Sequence, residues 1–175
     1  LTIDSEINKV ALDALGDYKG TIGVVNYNTG DIICMVSTPT YDVNDVPSDI
    51  NTSEKYEGVY INRFLTGLYT PGSTFKVVTA ISALQNIGSD IYNRTWRCDR
   101  VYDVDGIEED NIICNARHGT TDFENAFAKS CNITFGKIAI ELGPEKLAQT
   151  VDSLGLTQSV SVSGVIQSAE SRFFL

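Results

Sequence analysis

The sequence predicts an α/β (α+β) domain in which an antiparallel sheet is packed with helices. Three observations lead there: two β-branched runs joined by a short turn near the N-terminus, an apolar helix in the middle of the chain, and two further helical stripes before residue 155. At 175 residues, 42% hydrophobic and 21% charged, the chain is about one domain long and has enough apolar side chains for one sizeable core.

In chain order, Ser5 is placed to cap a helix whose apolar residues Ile7, Val10, Ala11 and Ala14 recur at helical spacing, and Gly16 is placed to end it. Thr21 to Tyr27 and Asp31 to Ser37 read as strands of a hairpin turning at Asn28-Thr29-Gly30. Residues 38 to 69 carry Pro39, Pro47 and many Asp, Asn and Ser residues, so a long irregular excursion is expected. Pro71-Gly72 then breaks the chain ahead of a helix over Ser73 to Leu84. Its residues Val77, Val78, Ala80, Ile81, Ala83 and Leu84 are apolar on nearly every side, which predicts a buried central helix. Arg97 to Gly119 is polar and turn-rich. Thr121 and Glu124 form a capping-box pattern for a short helix ending near Lys129. After a turn at Ser130-Cys131-Asn132, a helix carrying Phe135, Ile138, Ala139 and Leu142 stops at Gly143, and Pro144 opens another that closes at Gly155.

The net charge of −10 gives a surface that repels phosphate backbones, so nucleic acid is excluded as a partner. No apolar stretch approaches the roughly 20 residues that span a bilayer. The four cysteines, Cys34, Cys98, Cys114 and Cys131, lack paired CxxC spacing. Cys34 lies in an apolar run and reads as a small buried hydrophobe. Cys98 and Cys114 flank a polar loop followed by the single histidine, His118, and are compatible with a disulfide, a zinc site that braces the loop, or free thiols. No cofactor is otherwise expected.

Two short patterns carry chemistry. Ser73 and Lys76 stand one helical turn apart, so the amine reaches the hydroxyl. A serine becomes a nucleophile when a neighbouring base takes its proton, and a lysine becomes that base when burial depresses its pKa. The helix N-terminus adds positive potential for an oxyanion. Ser130 and Asn132, an S-x-N pattern in a turn between helices, offer a hydroxyl to relay a proton and a carboxamide to hold a peptide group. Asn132 also fits an ordinary helix N-cap.

The octapeptide Tyr69-Thr70-Pro71-Gly72-Ser73-Thr74-Phe75-Lys76 resembles the active-site segment of high-molecular-weight penicillin-binding proteins. Leu1-Thr2-Ile3-Asp4, Thr29-Gly30-Asp31-Ile32, Met35-Val36-Ser37-Thr38-Pro39, Tyr41-Asp42-Val43-Asn44, Asn62-Arg63, His118-Gly119 and Ser130-Cys131-Asn132 agree with the same family, over about residues 1 to 155. The pattern most resembles the monofunctional, class B type that cross-links peptidoglycan. The resemblance implies the penicillin-binding, serine β-lactamase-like fold and a D,D-transpeptidase that acts on D-Ala-D-Ala stem peptides and is blocked by β-lactams. It gives Ser73 the role of nucleophile, Lys76 of base, Ser130 of proton shuttle and Asn132 of substrate binding. It also implies the outer face of the bacterial cytoplasmic membrane, an upstream membrane anchor, and other cell-wall synthesis proteins as partners.

The family's third motif, K-T-G or K-S-G, occurs nowhere in the 175 residues, and the tail from Ser159 to Leu175 departs from the family pattern. Residues 1–175 are therefore expected to be an incomplete transpeptidase domain lacking its C-terminal strands. A β-lactam-sensing or inactive binding fragment, a serine β-lactamase and a D,D-carboxypeptidase are the competing readings, since they share the serine and lysine chemistry.

Overall fold

A computed structural model describes residues 2–173 in two compact units, one of residues 2–69 with 159–169 and the other of 70–158 with 170–173. Leu1 of the Leu1-Thr2-Ile3-Asp4 segment and residues 174 and 175 of the tail lie outside the described residues.

In the first unit, helix α1 (Ser5–Leu15) is capped by Asp4, whose carboxylate accepts the N–H groups of Glu6 at 2.9 Å and Ile7 at 3.0 Å. Ser5, expected as the cap, is instead the first helical residue; the aspartate one position earlier already satisfies the orphan donors of the first turn. Gly16 ends the helix as expected, at φ 51°, where a Cβ would be strained. The hairpin is present as β1 (Gly20–Val25) antiparallel to β2 (Ile32–Thr38), in register from Gly20 opposite Thr38 to Val24 opposite Cys34. Its turn closes on the Asn26 carbonyl, which accepts from Thr29 and Gly30, with Gly30 at φ 77°. Helix α1 lies on β2: Asp4 N–H donates to Ile33 O at 2.9 Å and Met35 N–H to Asn8 Oδ1 at 3.0 Å. Ala11 and Cys34 are buried, whereas Ile7 and Val10 of the apolar stripe are exposed.

The excursion after β2 is irregular, apart from a single 3₁₀ turn and α2 (Arg63–Thr66), capped by Asn62. Four residues are too few to leave a periodic signal. The Leu65 carbonyl of α2 accepts from Ala169 at 2.7 Å, which ties down a short hairpin of Ser161–Val162 with Ile166–Gln167.

The second unit begins with a 3₁₀ turn, Gly72–Phe75, that runs into α3 (Lys76–Asn86). The expected helix thus starts three residues later in α form. It is also not covered on all sides: Val78, Thr79, Ser82 and Ala83 are buried, but Val77 and Leu84 are exposed. The buried face meets α5 (Asn132–Ser153), where Ser82 Oγ donates to Lys146 O at 3.3 Å and Thr150 Oγ1 to Gln85 Oε1 at 3.3 Å. Nothing among the described residues buries the opposite face, so its apolar residues remain in water.

The polar stretch 97 to 119 is more ordered than its composition suggests. It holds most of two short antiparallel pairs, β3 (Thr95–Cys98) with β6 (Gly119–Asp122), and β4 (Val101–Tyr102) with β5 (Ile112–Ile113). Strands of two to four residues are below the length at which alternation becomes visible. Helix α4 (Phe123–Ala128) is capped by Asp122, which accepts the Asn125 N–H at 2.8 Å, while the expected capping residue Thr121 is spent on β6. Lys129 terminates α4, and α5 breaks at Gly143 (φ 77°) before Pro144, both as expected. The core of this unit is Ala83, Ile91, Phe123, Ala126, Ile133, Phe135, Ile138 and Leu142 together with Cys98, Cys114 and Cys131. Tyr92, Phe123, Phe127 and Phe135 form a chain of aromatic contacts with centroids 5.8 to 5.9 Å apart.

Because Asp4 rather than Ser5 caps α1, replacing Asp4 with Ala is expected to destabilise the protein by about 1 kcal/mol. Ser5→Ala is expected to stay within about 0.5 kcal/mol of wild type. Urea unfolding of the two variants checks the order.

Candidate active site

Pro71 and Gly72 turn the chain into the 3₁₀ segment, with Gly72 at φ 55°. In a 3₁₀ turn residues i and i+3 eclipse, so Ser73 and Lys76 stand one above the other more directly than in an α-turn. Lys76 Nζ lies 3.0 Å from Ser73 Oγ. The same nitrogen donates to Ser130 O at 2.9 Å, Ser130 Oγ at 2.9 Å and Asn132 Oδ1 at 2.6 Å. Ser130 Oγ is 3.0 Å from Ser73 Oγ, which closes a triangle of two hydroxyls and one amine. All four residues singled out in the sequence therefore meet at one place, and Ser73 is exposed at its mouth.

The turn that supplies Ser130 and Asn132 is set by backbone geometry. Ser130 has φ 53°, in the left-handed region, and its N–H bonds the Phe127 carbonyl as α4 ends. Cys131 occupies the N-cap position of α5, so Asn132 is not the cap but the first helical residue. Its amide is then free for the site: Oδ1 meets Lys76, and Nδ2 donates to Ile113 O of β5 at 2.8 Å. That second bond fixes which end of the carboxamide faces the lysine.

Burial pulls the Lys76 amine below its ordinary range, against an opposing pull from the sulfurs of Cys114 and Cys131. No carboxylate is ion-paired with Lys76 among the described residues. Four oxygens surround a group that has three protons when charged. Either protonation state makes three bonds here: the ammonium donates three, and the neutral amine donates two and accepts the Ser73 proton. The arrangement is a serine nucleophile with its base and a second hydroxyl in relay distance.

Directly behind the turn lie Cys98, Cys114, His118 and Cys131, whose ligand atoms are all within 4.8 Å of one another. The sequence pointed to Cys98, Cys114 and His118 as a group but not to Cys131, which it offered as one of four cysteines without paired spacing and as the middle residue of the S-x-N pattern. The thiols are free, so the disulfide alternative is not formed. Burial raises the Cys114 thiol, but N–H donors from Asn132, Ala116 and Ile133 and the Cys98 thiol outweigh it, and the net shift is downward. Cys131 is shifted up, chiefly by burial. Ile113, which orients Asn132 through its backbone, carries no sequence signal for that role.

The family profile described as "Penicillin binding protein transpeptidase domain" matches residues 20–171. The Peptidoglycan D,D-transpeptidase PbpA of Mycolicibacterium smegmatis is 31% identical over 172 residues, covering 89% of this chain and 35% of that protein. The D,D-transpeptidase domain of a peptidoglycan glycosyltransferase from Eggerthella lenta has the same fold with a TM-score of 0.82 at 27% identity, over 98% of this chain and 41% of that one. Pseudomonas aeruginosa PBP2, solved in complex with WCK 5153, gives 0.81 at 27% identity, over 97% and 40%. The chain spans about a third of the curated relative's length. The profile match through residue 171 corrects the expectation that the resemblance ends near 155; the tail hairpin pairs only two residues with two and carries no motif side chain, so it left no trace in a reading based on motifs.

The left-handed backbone at Ser130 predicts an ordering of two variants that both lose the hydroxyl. Ser130→Gly is expected to be about 1 kcal/mol more stable than Ser130→Ala, because only glycine adopts this conformation without strain. Urea midpoints measured on the pair test this, and the reverse order would remove the strain from the account.

Proposed function

The chain belongs to the penicillin binding protein transpeptidase domain family, and from that premise we propose that it carries the acylation machinery of a peptidoglycan D,D-transpeptidase. The observation that carries the reading is the triangle of Ser73 Oγ, Lys76 Nζ and Ser130 Oγ, with sides of 2.9 to 3.0 Å. The names of the relatives support the same reaction class.

In the proposed reaction Ser73 Oγ attacks the carbonyl of the penultimate D-Ala of a stem peptide while Lys76 takes its proton. Ser130 Oγ delivers a proton to the nitrogen of the terminal D-Ala and takes one in its place from Lys76, 2.9 Å away; the D-Ala leaves, and the stem remains as an ester on Ser73. An amine from a neighbouring strand then attacks the ester, forms the cross-link and returns the proton to Ser73. Asn132 binds the substrate's peptide group beside Lys76. A β-lactam enters the same path, but its amide nitrogen stays tethered after ring opening, so nothing departs and the ester persists. The proposed location is the outer face of the cytoplasmic membrane, where such stems are found, with other cell-wall synthesis proteins as partners; no described helix is long and apolar enough to cross a membrane.

Residues 1–175 are proposed to be the N-terminal portion of the transpeptidase domain, consistent with coverage of 41% of the Eggerthella lenta domain.

Intact-protein mass spectrometry after incubation with a penicillin tests the proposal. One stable adduct is expected on the wild type and none on Ser73→Ala. An adduct that survives in Ser73→Ala, or rapid penicillin hydrolysis, would overturn the assignment of Ser73 as a slowly released nucleophile. The acylation rate is expected to rise with pH as Lys76 loses its proton. Because burial lowers the Lys76 pKa, the rise should finish below the ordinary lysine value of about 10.4. Lys76→Arg, whose guanidinium keeps its proton, should lack this limb and acylate at least about 10²-fold more slowly.

A further inference from the structure

We propose that Gly136 is a positioning residue for the reaction: because it has no side chain, Ile112 seats the β4–β5 hairpin close against α5, and the Ile113 carbonyl then turns the Asn132 carboxamide toward Lys76.

Glycine is among the poorest helix formers, yet Gly136 lies within α5 with helical residues on both sides. The approach of β5 accounts for it. A Cβ placed on Gly136 would collide with the Cδ1 of Ile112, while the Cγ1 and Cγ2 of the same side chain would stand at 3.5 Å. Carbon atoms pack at about 3.5 to 4.0 Å, so the collision is with the δ-methyl alone. Ile112 packs against the core of this unit and is branched at Cβ, which leaves it few rotamers in which to retreat. The backbone of β5 would have to move instead.

A second contact holds the same two elements. Tyr102 is opposite Ile112 in the β4–β5 ladder, and the Lys137 ammonium lies 4.1 Å from the centre of the Tyr102 ring. Ile112 on Gly136 and Tyr102 on Lys137 thus dock paired strand residues on consecutive helix residues. A hairpin of two residue pairs has little stability of its own, so its contact with α5 decides where it sits.

The consequence for the site follows from spacing. Asn132 precedes Gly136 by four residues and therefore lies one turn away on the same face of α5. With Ile112 seated, the carbonyl of the next residue, Ile113, accepts from Asn132 Nδ2 at 2.8 Å, and Oδ1 is left facing Lys76 Nζ at 2.6 Å. Moving β5 outward by about an ångström, enough to restore ordinary carbon contact, stretches the Nδ2 bond past the hydrogen-bond limit of about 3.2 Å. The carboxamide is then free to turn, and its NH₂ end offers an ammonium no acceptor. The simpler account makes Gly136 a packing detail of the core. That account expects a change in stability and none in the reaction. The effect on rate rests on the reading of Ser73 as the acylated nucleophile, whereas the orientation of the Asn132 amide stands apart from it.

The test measures the amide and the reaction separately. In isotope-labelled protein the Asn132 side-chain NH₂ is expected to give a hydrogen-bonded, slowly exchanging NMR signal that Gly136→Ala loses. The same variant should acylate with penicillin on the order of 10-fold or more slowly, within the scale of ångström-size misplacements of reacting groups. Ile112→Val removes the colliding methyl, so Gly136→Ala with Ile112→Val should regain the amide signal and acylate as fast as Ile112→Val alone. This rescue separates positioning from a mere need for a folded helix. In an Asn132→Ala background, Gly136→Ala should slow acylation no further, because the residue through which it acts is gone. A folded Gly136→Ala with unchanged amide signal and unchanged rate overturns the proposal, as does a lost signal with an unchanged rate. Failure of Ile112→Val to relieve the loss, or a full additional loss in the Asn132→Ala background, also overturns it. Absence of any adduct on the wild type counts against the Ser73 reading, and the amide signal of the variants still decides whether Gly136 seats the hairpin.

Discussion

The second unit depends on one amine. Lys76 Nζ reaches residues 54 and 56 positions later in the chain, and its bonds to Ser130 and Asn132 join the start of α3 to the turn between α4 and α5. The Ser130 Oγ bond to Ser73 Oγ, at 3.0 Å, is the second polar contact that joins these segments at the nucleophile. Partial burial makes a charged lysine costly, and the oxygens around it reduce that cost without supplying a counter-charge. A carboxylate in place of Asn132 would hold the proton on the amine. A neutral carboxamide accepts a hydrogen bond and leaves the amine able to give up its charge, which is what a base requires. The choice of Asn over Asp at this position is thus a matter of pKa as much as shape.

That amine is held by strain on one side and packing on the other. Ser130 sits in a left-handed conformation that costs a non-glycine residue roughly 1 kcal/mol or more, while the next residue, Cys131, is fully buried. The burial of Cys131 and of Ile133 and Phe135 beyond it anchors α5, and the anchored helix forces the strained turn to point its hydroxyl at Ser73. Core and site share atoms here, so a change in the packing of this core alters the geometry of the site directly.

The large features were legible in the sequence because each had either a period or a punctuating residue. Ala11 and Gly16 marked α1, Gly30 the hairpin turn, and Gly143 with Pro144 the break in α5. The four reacting side chains were legible because their spacing is local: Ser73 with Lys76, and Ser130 with Asn132. What escaped notice depends on contacts between distant segments or on elements too short for a period. The strands of 95 to 122 have two to four residues each, and a run rich in Asp, Glu and Gly masks them. Asp4 and Asp122 displaced Ser5 and Thr121 as caps because either carboxylate is an equally good acceptor one residue away, and sequence alone does not rank neighbours that closely. Cys131 was hidden by its own motif, since its flanking residues explained the pattern without it.

The exposed apolar residues of α3 belong to the same logic. Val77 and Leu84 lie on the helix that begins at Lys76, and the sequence made that helix apolar on nearly every side. Within this chain α5 covers one face only, yet the reacting groups are already in hydrogen-bond contact. The positions of Ser73, Lys76, Ser130 and Asn132 are therefore set by the contacts of α3 with the α4 to α5 turn and by the strand pair that carries Ile113. The partial burial of Lys76 against this turn already pulls its amine below the ordinary range, so geometry and electrostatics are set in the same place.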